Sequence, residues 1–262
     1  MTATAYAPAR AATRSVRRRP SLARLTLVEL RKMTDTRAGF WLLLVIAVVA
    51  VGMVVIQLVT GDPAGRSLAA IFGGTLVPAG VLLPVLGILS ATGEFSQRTA
   101  LTTFTLVPVR ARTVAAKLAA SVLLALALTV VCLAASAVGN LLVGTAVEGN
   151  GSWSIGAAAL GTGALYEVIV VVTGVGFGML LMNTPLAIVA SFVLPTIWGV
   201  LTAFVSAIRP VASWLDSSGT LGPLTSGHLT GEGWAKIAAT VAVWAALPLA
   251  AGCVRLARRE IS

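Results

Sequence analysis

The sequence predicts an all-α polytopic membrane protein, with six transmembrane helices preceded by an amphipathic interfacial helix. Hydrophobic residues make up 57% of the 262 residues and charged residues only 11%. The mean hydropathy of +0.95 lies far from that of soluble domains. Because backbone polar groups inside a bilayer must be paired within their own segment, apolar runs in such a chain are expected to be helices.

Six apolar runs reach the length of about 20 residues that a membrane-crossing helix needs. They cover residues 38–59, 68–91, 118–143, 155–182, 185–207 and 235–256. Little sequence is left for a separate soluble domain, so we expect one six-span domain over residues 21–262. Residues 1–20 are rich in Ala, Arg, Thr and Pro and are expected to form a disordered basic arm.

The net charge of +10 is distributed unevenly along the chain. Of the 19 Lys and Arg residues, 16 lie before the first run, between the second and third, or at and beyond the end of the sixth. The positive-inside rule therefore places both termini and the loop over residues 92–117 in the cytoplasm of a cell (plasma) membrane protein. Topology accounts for the charge, so we expect no nucleic-acid partner. Membrane lipid is the expected partner of the basic arm.

Residues 21–37 have the pattern of a helix lying in the headgroup plane. Arg24 and Arg31 share one side of a helical wheel. The opposite, apolar arc is formed by Leu22, Ala23, Leu27, Leu30 and Met33. The alternative interpretation is an ordinary basic membrane flank without a defined helix.

Two connections differ from the others in composition. The loop over residues 92–117 carries clustered positive charge, which suggests a transport subunit that a partner grips from the cytoplasm. The extracellular loop over residues 208–234 holds Trp and Leu among Gly, Ser and Pro. We expect it to pack on the outer leaflet or to cap the bundle.

Glu167 is the only acidic residue inside a predicted span. A carboxylate at membrane depth is costly and commonly faces a cavity, a pathway or a partner. Two interpretations stay open, because Glu167 could instead lie near the outer interface. The same predicted span contains Gly174 and Gly178, whose spacing allows close helix approach. Pro78 and Pro84 are expected to bend the second span.

The sequence lacks the motifs that carry nucleotide or bond-breaking chemistry. There is no G-x-x-x-x-G-K-[ST] phosphate loop, and no paired carboxylates, H-E-x-x-H or CxxC. We therefore expect a transport subunit rather than an enzyme, with no cofactor in this chain. Two other functions stay open: a secondary transporter driven by an ion gradient, supported by Glu167 alone, and a membrane-embedded enzyme.

Several short stretches, taken in order, carry a family resemblance. They are Glu29-Leu30-Arg31-Lys32-Met33, Gly93-Glu94-Phe95 with Arg98-Thr99, Pro108-Val109-Arg110 leading to Lys117, the run from Gly176 to Asn183, and Arg258-Arg259-Glu260. Their order and spacing resemble those of the type-2 ATP-binding-cassette (ABC) transporter permeases, which are mostly exporters. The resemblance covers nearly the whole chain from about Leu22.

The resemblance implies a mechanism and partners. Residues 21–37 would be the elbow helix, and the 92–117 loop would form the coupling helix that docks on an ATPase. Its contact residues would be Gly93, Glu94, Phe95, Arg98 and Thr99. ATP and Mg would be held by that partner ATPase. A second permease copy, identical or related, would complete the pathway. One departure is the uncharged turn Met182-Asn183-Thr184-Pro185, where family members often carry a basic residue.

Overall fold

The computed structural model describes residues 20–60, 67–96, 109–146, 152–227 and 229–258, and these are almost entirely helical. Numbered in chain order, the helices are α1 (Leu22–Asp35), α2 (Arg37–Thr60), α3 (Leu68–Ser96), α4 (Arg110–Ala146), α5 (Ala157–Leu181), α6 (Thr184–Phe204), α7 (Arg209–Ala212), α8 (Ser217–Ser226), α9 (Gly231–Val241) and α10 (Leu247–Arg258). A π-helical turn over Ala242–Ala246 joins α9 to α10.

The six predicted spans are confirmed as helices long and apolar enough to cross a membrane. They are α2, α3, α4, α5, α6 and the continuous segment Gly231–Arg258. The chain is therefore a multi-pass, all-α membrane protein. We call the end of the bundle that holds α1, the end of α3 and the start of α4 the charged end. The opposite end, where α7 and α8 lie, is the capped end.

The boundaries of the predicted 92–117 loop were wrong on both sides. Helix α3 continues to Ser96, and α4 already begins at Arg110. Hydropathy places a boundary at the first charged residues, but here Glu94 and Lys117 are paired with each other inside the protein. Paired charges can be accommodated within a helix that an unpaired charge would interrupt.

Close packing of α3 on α5 forms the centre of the bundle. The two helices run parallel, and glycines on both sides bring their backbones together. A Cβ added to Gly174 would lie 2.1 Å from the Pro84 carbonyl oxygen, and one on Gly87 would lie 2.5 Å from that of Val171. At Gly178 an added Cβ would lie 2.8 Å from that of Ala91. The predicted small-residue surface of α5 is thus confirmed.

Prolines and cap residues determine where the backbone hydrogen bonding departs from a regular α-helix. Pro248 has no N–H, so the α-helical bond to the residue four positions earlier cannot form, and the π-helical turn directly precedes it. Between α5 and α6, Met182 adopts a left-handed conformation with φ 52°. Asn183 then caps α6 by accepting a hydrogen bond from the Leu186 backbone N–H at 3.0 Å.

The segment over residues 208–234 caps the bundle, as one of the two predicted alternatives required. Leu221 and Leu224 of α8 are buried against Ile169 and Ile237. Trp244 Nε1 donates to the Leu215 carbonyl at 2.7 Å. Gly73 has no side chain, which leaves room for α8: an added Cβ would lie 2.5 Å from the Thr225 oxygen. The segment therefore packs against three spans, namely α3, α5 and Gly231–Arg258.

Candidate functional site

Four charged side chains meet at the charged end in one ion-pair network. Lys117 Nζ lies 2.6 Å from Glu29 Oε2 and 3.1 Å from Glu94 Oε1. Lys32 Nζ lies 2.6 Å from Glu29 Oε1 and 3.1 Å from the same Glu94 oxygen. Lys117 also donates to the Ser90 carbonyl at 3.0 Å, so all three of its N–H donors are used. The two acids and two bases cancel in charge.

Burial makes this network different from a surface salt bridge. The side chains of Lys117, Glu29 and Glu94 are 7%, 6% and 8% exposed, whereas that of Lys32 is 44% exposed. Removing one member of a buried pair leaves an uncompensated charge and typically costs about 3–5 kcal/mol. The three buried members come from α1, α3 and α4, so the network joins three helices rather than stabilising one.

The pKa of Lys32 depends on two opposing effects, burial and the neighbouring carboxylates. Partial burial works to lower its pKa. The hydrogen bond and charge of Glu29, together with Glu94, act in the opposite direction and outweigh burial, so the pKa of Lys32 is raised above its ordinary value of 10.5. Lys32 is therefore held in its charged form throughout the neutral range.

Helix α1 forms where the elbow helix was predicted, but a different face packs on the protein. Its N-cap is Ser21, which accepts from the Arg24 backbone N–H at 3.3 Å. The buried face consists of Thr26, Glu29 and Met33. Of the predicted apolar arc, Met33 is buried and Leu30 packs on the core, whereas Leu22 and Leu27 are exposed.

An ion pair explains why the buried face of α1 differs from its apolar arc. Pairing of Glu29 with Lys117 turns Glu29 inward and Leu27 outward. A helical wheel counts only hydropathy and places Glu29 with the polar residues. The Met33 side chain, which the wheel groups with Leu22 and Leu27, is buried against the bundle.

Arginine side chains form hydrogen bonds between the remaining helix ends at the charged end. Arg110 at the start of α4 donates to the Leu256 carbonyl of α10. Arg255 of α10 donates to the Leu180 carbonyl near the end of α5. Arg112 donates to the Pro20 carbonyl at 2.6 Å. These carbonyls include last-turn groups that lack an intrahelical partner, and arginine satisfies them.

The predicted coupling residues fall into two groups. Gly93, Glu94 and Phe95 lie in the last turns of α3, whereas Arg98 and Thr99 lie outside the described residues. Phe95 packs against the group around Met179 and Leu256. Glu94 is 6% exposed and bound to two lysines, so it offers little surface to a docking protein. A docking role of Gly93, Phe95, Arg98 and Thr99 stays a prediction.

Sequence reasoning missed the pairing at the heart of this site. It treated Lys117 and Glu94 as loop charges and Glu29 as part of a surface helix. One signal was available: all three residues lie outside the apolar runs, on the same predicted side of the membrane. Charges so placed at adjacent helix ends can meet.

Glu167 is fully buried at 0% exposure, on the face of α5 that packs against α3. Its burial does not fit the surface role that the sequence left open. No described residue forms a hydrogen bond with either carboxylate oxygen. Elsewhere between the helices, Thr75 of α3 and Ser136 of α4 share a buried hydrogen bond of 3.3 Å. Glu167 is therefore a buried carboxyl inside the helix bundle.

A cavity of about 420 Å³ lies beside the contact between α3 and α5, toward the capped end. It is uncharged. Its polar lining consists of the hydroxyl groups of Tyr166, Thr173, Ser191, Thr196, Ser217, Ser218 and Thr225. Its apolar lining includes Val77, Phe192 and Trp244. Such a mixture suits an amphipathic molecule without formal charge.

The described part of the chain contains no group of three or more His, Cys, Asp or Glu residues placed to hold a metal ion. The fold is that of a multi-pass helical membrane protein. At its charged end an ion-pair network joins α1, α3 and α4. No protein-family model and no curated protein sequence matches the chain.

Proposed function

We propose that this chain is the transmembrane subunit of an ABC transporter with the arrangement of type-2 permeases, most of which export. One observation carries the proposal: the network of Glu29, Lys32, Glu94 and Lys117 binds the elbow-like helix to both helix ends that flank residues 97–109. The charged end then faces the cytoplasm, as the positive-inside rule requires. Separate ATPase subunits bind ATP and Mg and hydrolyse the nucleotide.

The network explains how force from an ATPase reaches the membrane. A partner docked on residues 97–109 pushes on the end of α3 and the start of α4. Because the ion pairs join these ends to α1, the three helices move as one rigid body rather than bending separately. The close contact of Gly174 with Pro84 passes the displacement on to α5. This movement opens or closes the cavity near the capped end.

A second copy of the permease completes the pathway in this proposal. Helices α2 and α6 leave the largest faces outside the bundle, with Val48, Val55, Leu186 and Val189 all more than half exposed. These faces are available to lipid and to another copy. Six spans are few for an alternating-access pathway, which supports a dimer.

The cavity lining suggests the class of cargo. Seven hydroxyl groups and several aromatic and aliphatic side chains line a space without charged residues. A cargo of matching character has an apolar body and uncharged hydrogen-bonding groups, as in many drugs, peptides and lipid-like molecules. Charged cargo would lose hydration there without gaining an ion pair.

Purification of the tagged protein in mild detergent tests the proposal. We expect a stoichiometric subunit with a G-x-x-x-x-G-K-[ST] loop to co-purify, and the complex to hydrolyse ATP. Arg98→Glu should weaken this association, whereas Arg66→Glu, between α2 and α3 in the sequence, should not. Glu94 is a poor choice for this test, because its substitution disrupts the buried network. Absence of an ATPase under several gentle conditions contradicts the proposal.

One observation favours a second candidate, the ion-driven secondary transporter. Glu167 is a fully buried carboxyl without a hydrogen-bond partner among the described residues. Groups of this kind serve as proton or cation carriers in gradient-driven transporters. Glu167→Gln separates the two candidates, because it abolishes ion-driven flux and leaves ATP-driven transport intact.

A further inference from the structure

A second cavity, of about 410 Å³, lies at the charged end between α1, α2, α3 and α4. Its volume falls within the roughly 300–1,000 Å³ of small-ligand pockets. Its lining includes the four charged side chains of the network. It also includes the apolar side chains of Met33, Leu86 and Leu89. The cavity therefore combines charged and apolar surface.

The cavity lies beside the amphipathic helix that precedes the first span. Helix α1 is amphipathic and precedes the first span, and Gly39 in the first turn of α2 lines the cavity. Ser90 and Gly93 from the end of α3 line it as well. The boundary between charged and apolar residues is where phosphate and glycerol groups give way to acyl chains.

The charge pattern of the lining selects among headgroups. The two lysines and two glutamates leave no net charge, so an isolated phosphate would meet as many repulsive as attractive groups. A headgroup with both a phosphate and an ammonium finds a partner for each. Glu94 uses Oε1 for both lysines, and no described residue donates to its Oε2. The partly exposed Lys32 ammonium provides the phosphate contact.

Ser90 supplies a second, independent observation. Its hydroxyl oxygen is buried and has no hydrogen-bond partner among the described residues, and Ser90 is one of the residues that line the cavity. A buried polar atom without a partner costs free energy, which a ligand atom would remove. A phosphate oxygen is a suitable acceptor for this hydroxyl.

We propose that this cavity binds the headgroup of a zwitterionic aminophospholipid, with the phosphodiester at Lys32 and Ser90 and the primary ammonium at Glu94. The acyl chains leave past Leu86 and Leu89 into the bilayer. Bound lipid fills the space between α1 and α3 and so supports the helix pair that the ion network joins. The site does not depend on whether an ATPase drives the protein.

Native mass spectrometry of the delipidated full-length protein tests the site. Phosphatidylethanolamine, phosphatidylcholine and phosphatidylglycerol are titrated separately. We expect saturable binding of one phosphatidylethanolamine per chain, at least about tenfold tighter than the other two, given what a hydrogen bond to a charged group contributes. Phosphatidylcholine lacks N–H donors for Glu94, and phosphatidylglycerol lacks the ammonium. Equal binding of all three lipids overturns the proposal.

Two variants locate the site. Gly93→Leu adds a side chain at a residue that lines the cavity, and an added Cβ there has no atom within 4 Å. Its matched control is Gly52→Leu, in an equally open position on α2. We expect the first to lower phosphatidylethanolamine affinity at least tenfold and the second to leave it unchanged. Ser90→Ala, which removes one hydroxyl, should lower affinity severalfold even if Gly93→Leu folds poorly.

The source of the phosphate is tested by competition. Inorganic phosphate and water-soluble phosphoethanolamine are added to the lipid-bound protein. We expect displacement only by phosphoethanolamine, and only at concentrations far above that of the lipid, because the acyl chains contribute to binding. Displacement by inorganic phosphate at lipid concentrations shows a free-anion site and overturns the proposal, as does unchanged lipid binding in both Gly93→Leu and Ser90→Ala.

Discussion

Lys117 Nζ lies 2.6 Å from Glu29 Oε2, although 88 residues separate them in the chain. Both side chains are less than a tenth exposed. One residue belongs to the helix before the first span and the other to the third span. This contact therefore links the interfacial helix α1 directly to the transmembrane bundle, and the remaining ion pairs extend the link to α3.

Replacing Lys117 should destabilise the protein strongly. Lys117→Met leaves Glu29 and Glu94 buried near each other with less compensating charge, and we expect a loss of about 3–5 kcal/mol in the free energy of unfolding. Thermal unfolding of the detergent-solubilised protein measures it. The matched control is Lys236→Met, which removes an exposed i,i+4 pair with Glu232 and should change little. Equal effects of both variants would show that the Lys117 network contributes no special stability.

The contribution of Lys32 should depend on pH at the alkaline end. Because pairing with Glu29 and Glu94 raises the pKa of Lys32 above 10.5, its contribution is complete below that value. It is lost as pH rises through the higher pKa of the folded protein. We expect the difference in unfolding temperature between wild type and Lys32→Gln to stay constant from neutral pH to about 10. Above 10.5 the difference should shrink, and a constant difference up to strongly alkaline pH contradicts the pairing.

Close contact at Gly174 should make that position intolerant of any side chain. Gly174→Ala places a Cβ 2.1 Å from the Pro84 carbonyl oxygen, so α3 and α5 must separate. Overpacking of this kind typically costs about 1–3 kcal/mol. Gly161→Ala, at an open position of the same helix, serves as the control in the same unfolding measurement. Similar stability of the two variants would show that the helices separate without cost.

Glu167→Gln should fold normally. The substitution keeps the shape of the side chain and removes the possibility of an unpaired charge in a fully buried position. We expect an unfolding temperature equal to or above that of wild type, together with unchanged ATPase activity in the co-purified complex. A large loss of stability would reveal a charged partner for Glu167, and a loss of ion-driven flux would favour the second candidate function.

The sequence predicted the spans well because hydropathy depends only on local composition. The run over residues 68–91 became the central helix Leu68–Ser96, and its last five residues were missed for a specific reason. Glu94 is compatible with a buried helix end only because Lys117, 23 residues later, pairs with it. Such pairing is a property of the tertiary structure and leaves no mark on a hydropathy profile.

The candidate site shows the same limit. Arg98 and Thr99 lie outside the described residues, so their predicted role is unchanged. For residues 21–37 the helical wheel gave the right secondary structure, but it does not show which face packs on the protein. The orientation of α1 depends on the ion pair between Glu29 and Lys117, and Lys117 lies on another helix. The burial of Glu167 likewise depends on how α5 packs against α3, which single-residue patterns do not determine.

The most direct test of the central claim is site-specific photocrosslinking from position 99. A photoreactive amino acid replaces Thr99, and the control carries it at Trp153, an exposed residue near the capped end. Crosslinked products from native membranes are identified by mass spectrometry. The proposed function predicts a crosslink from position 99, and not from position 153, to a chain with a G-x-x-x-x-G-K-[ST] loop. No crosslink to such a chain, or equal crosslinking from both positions, would contradict it.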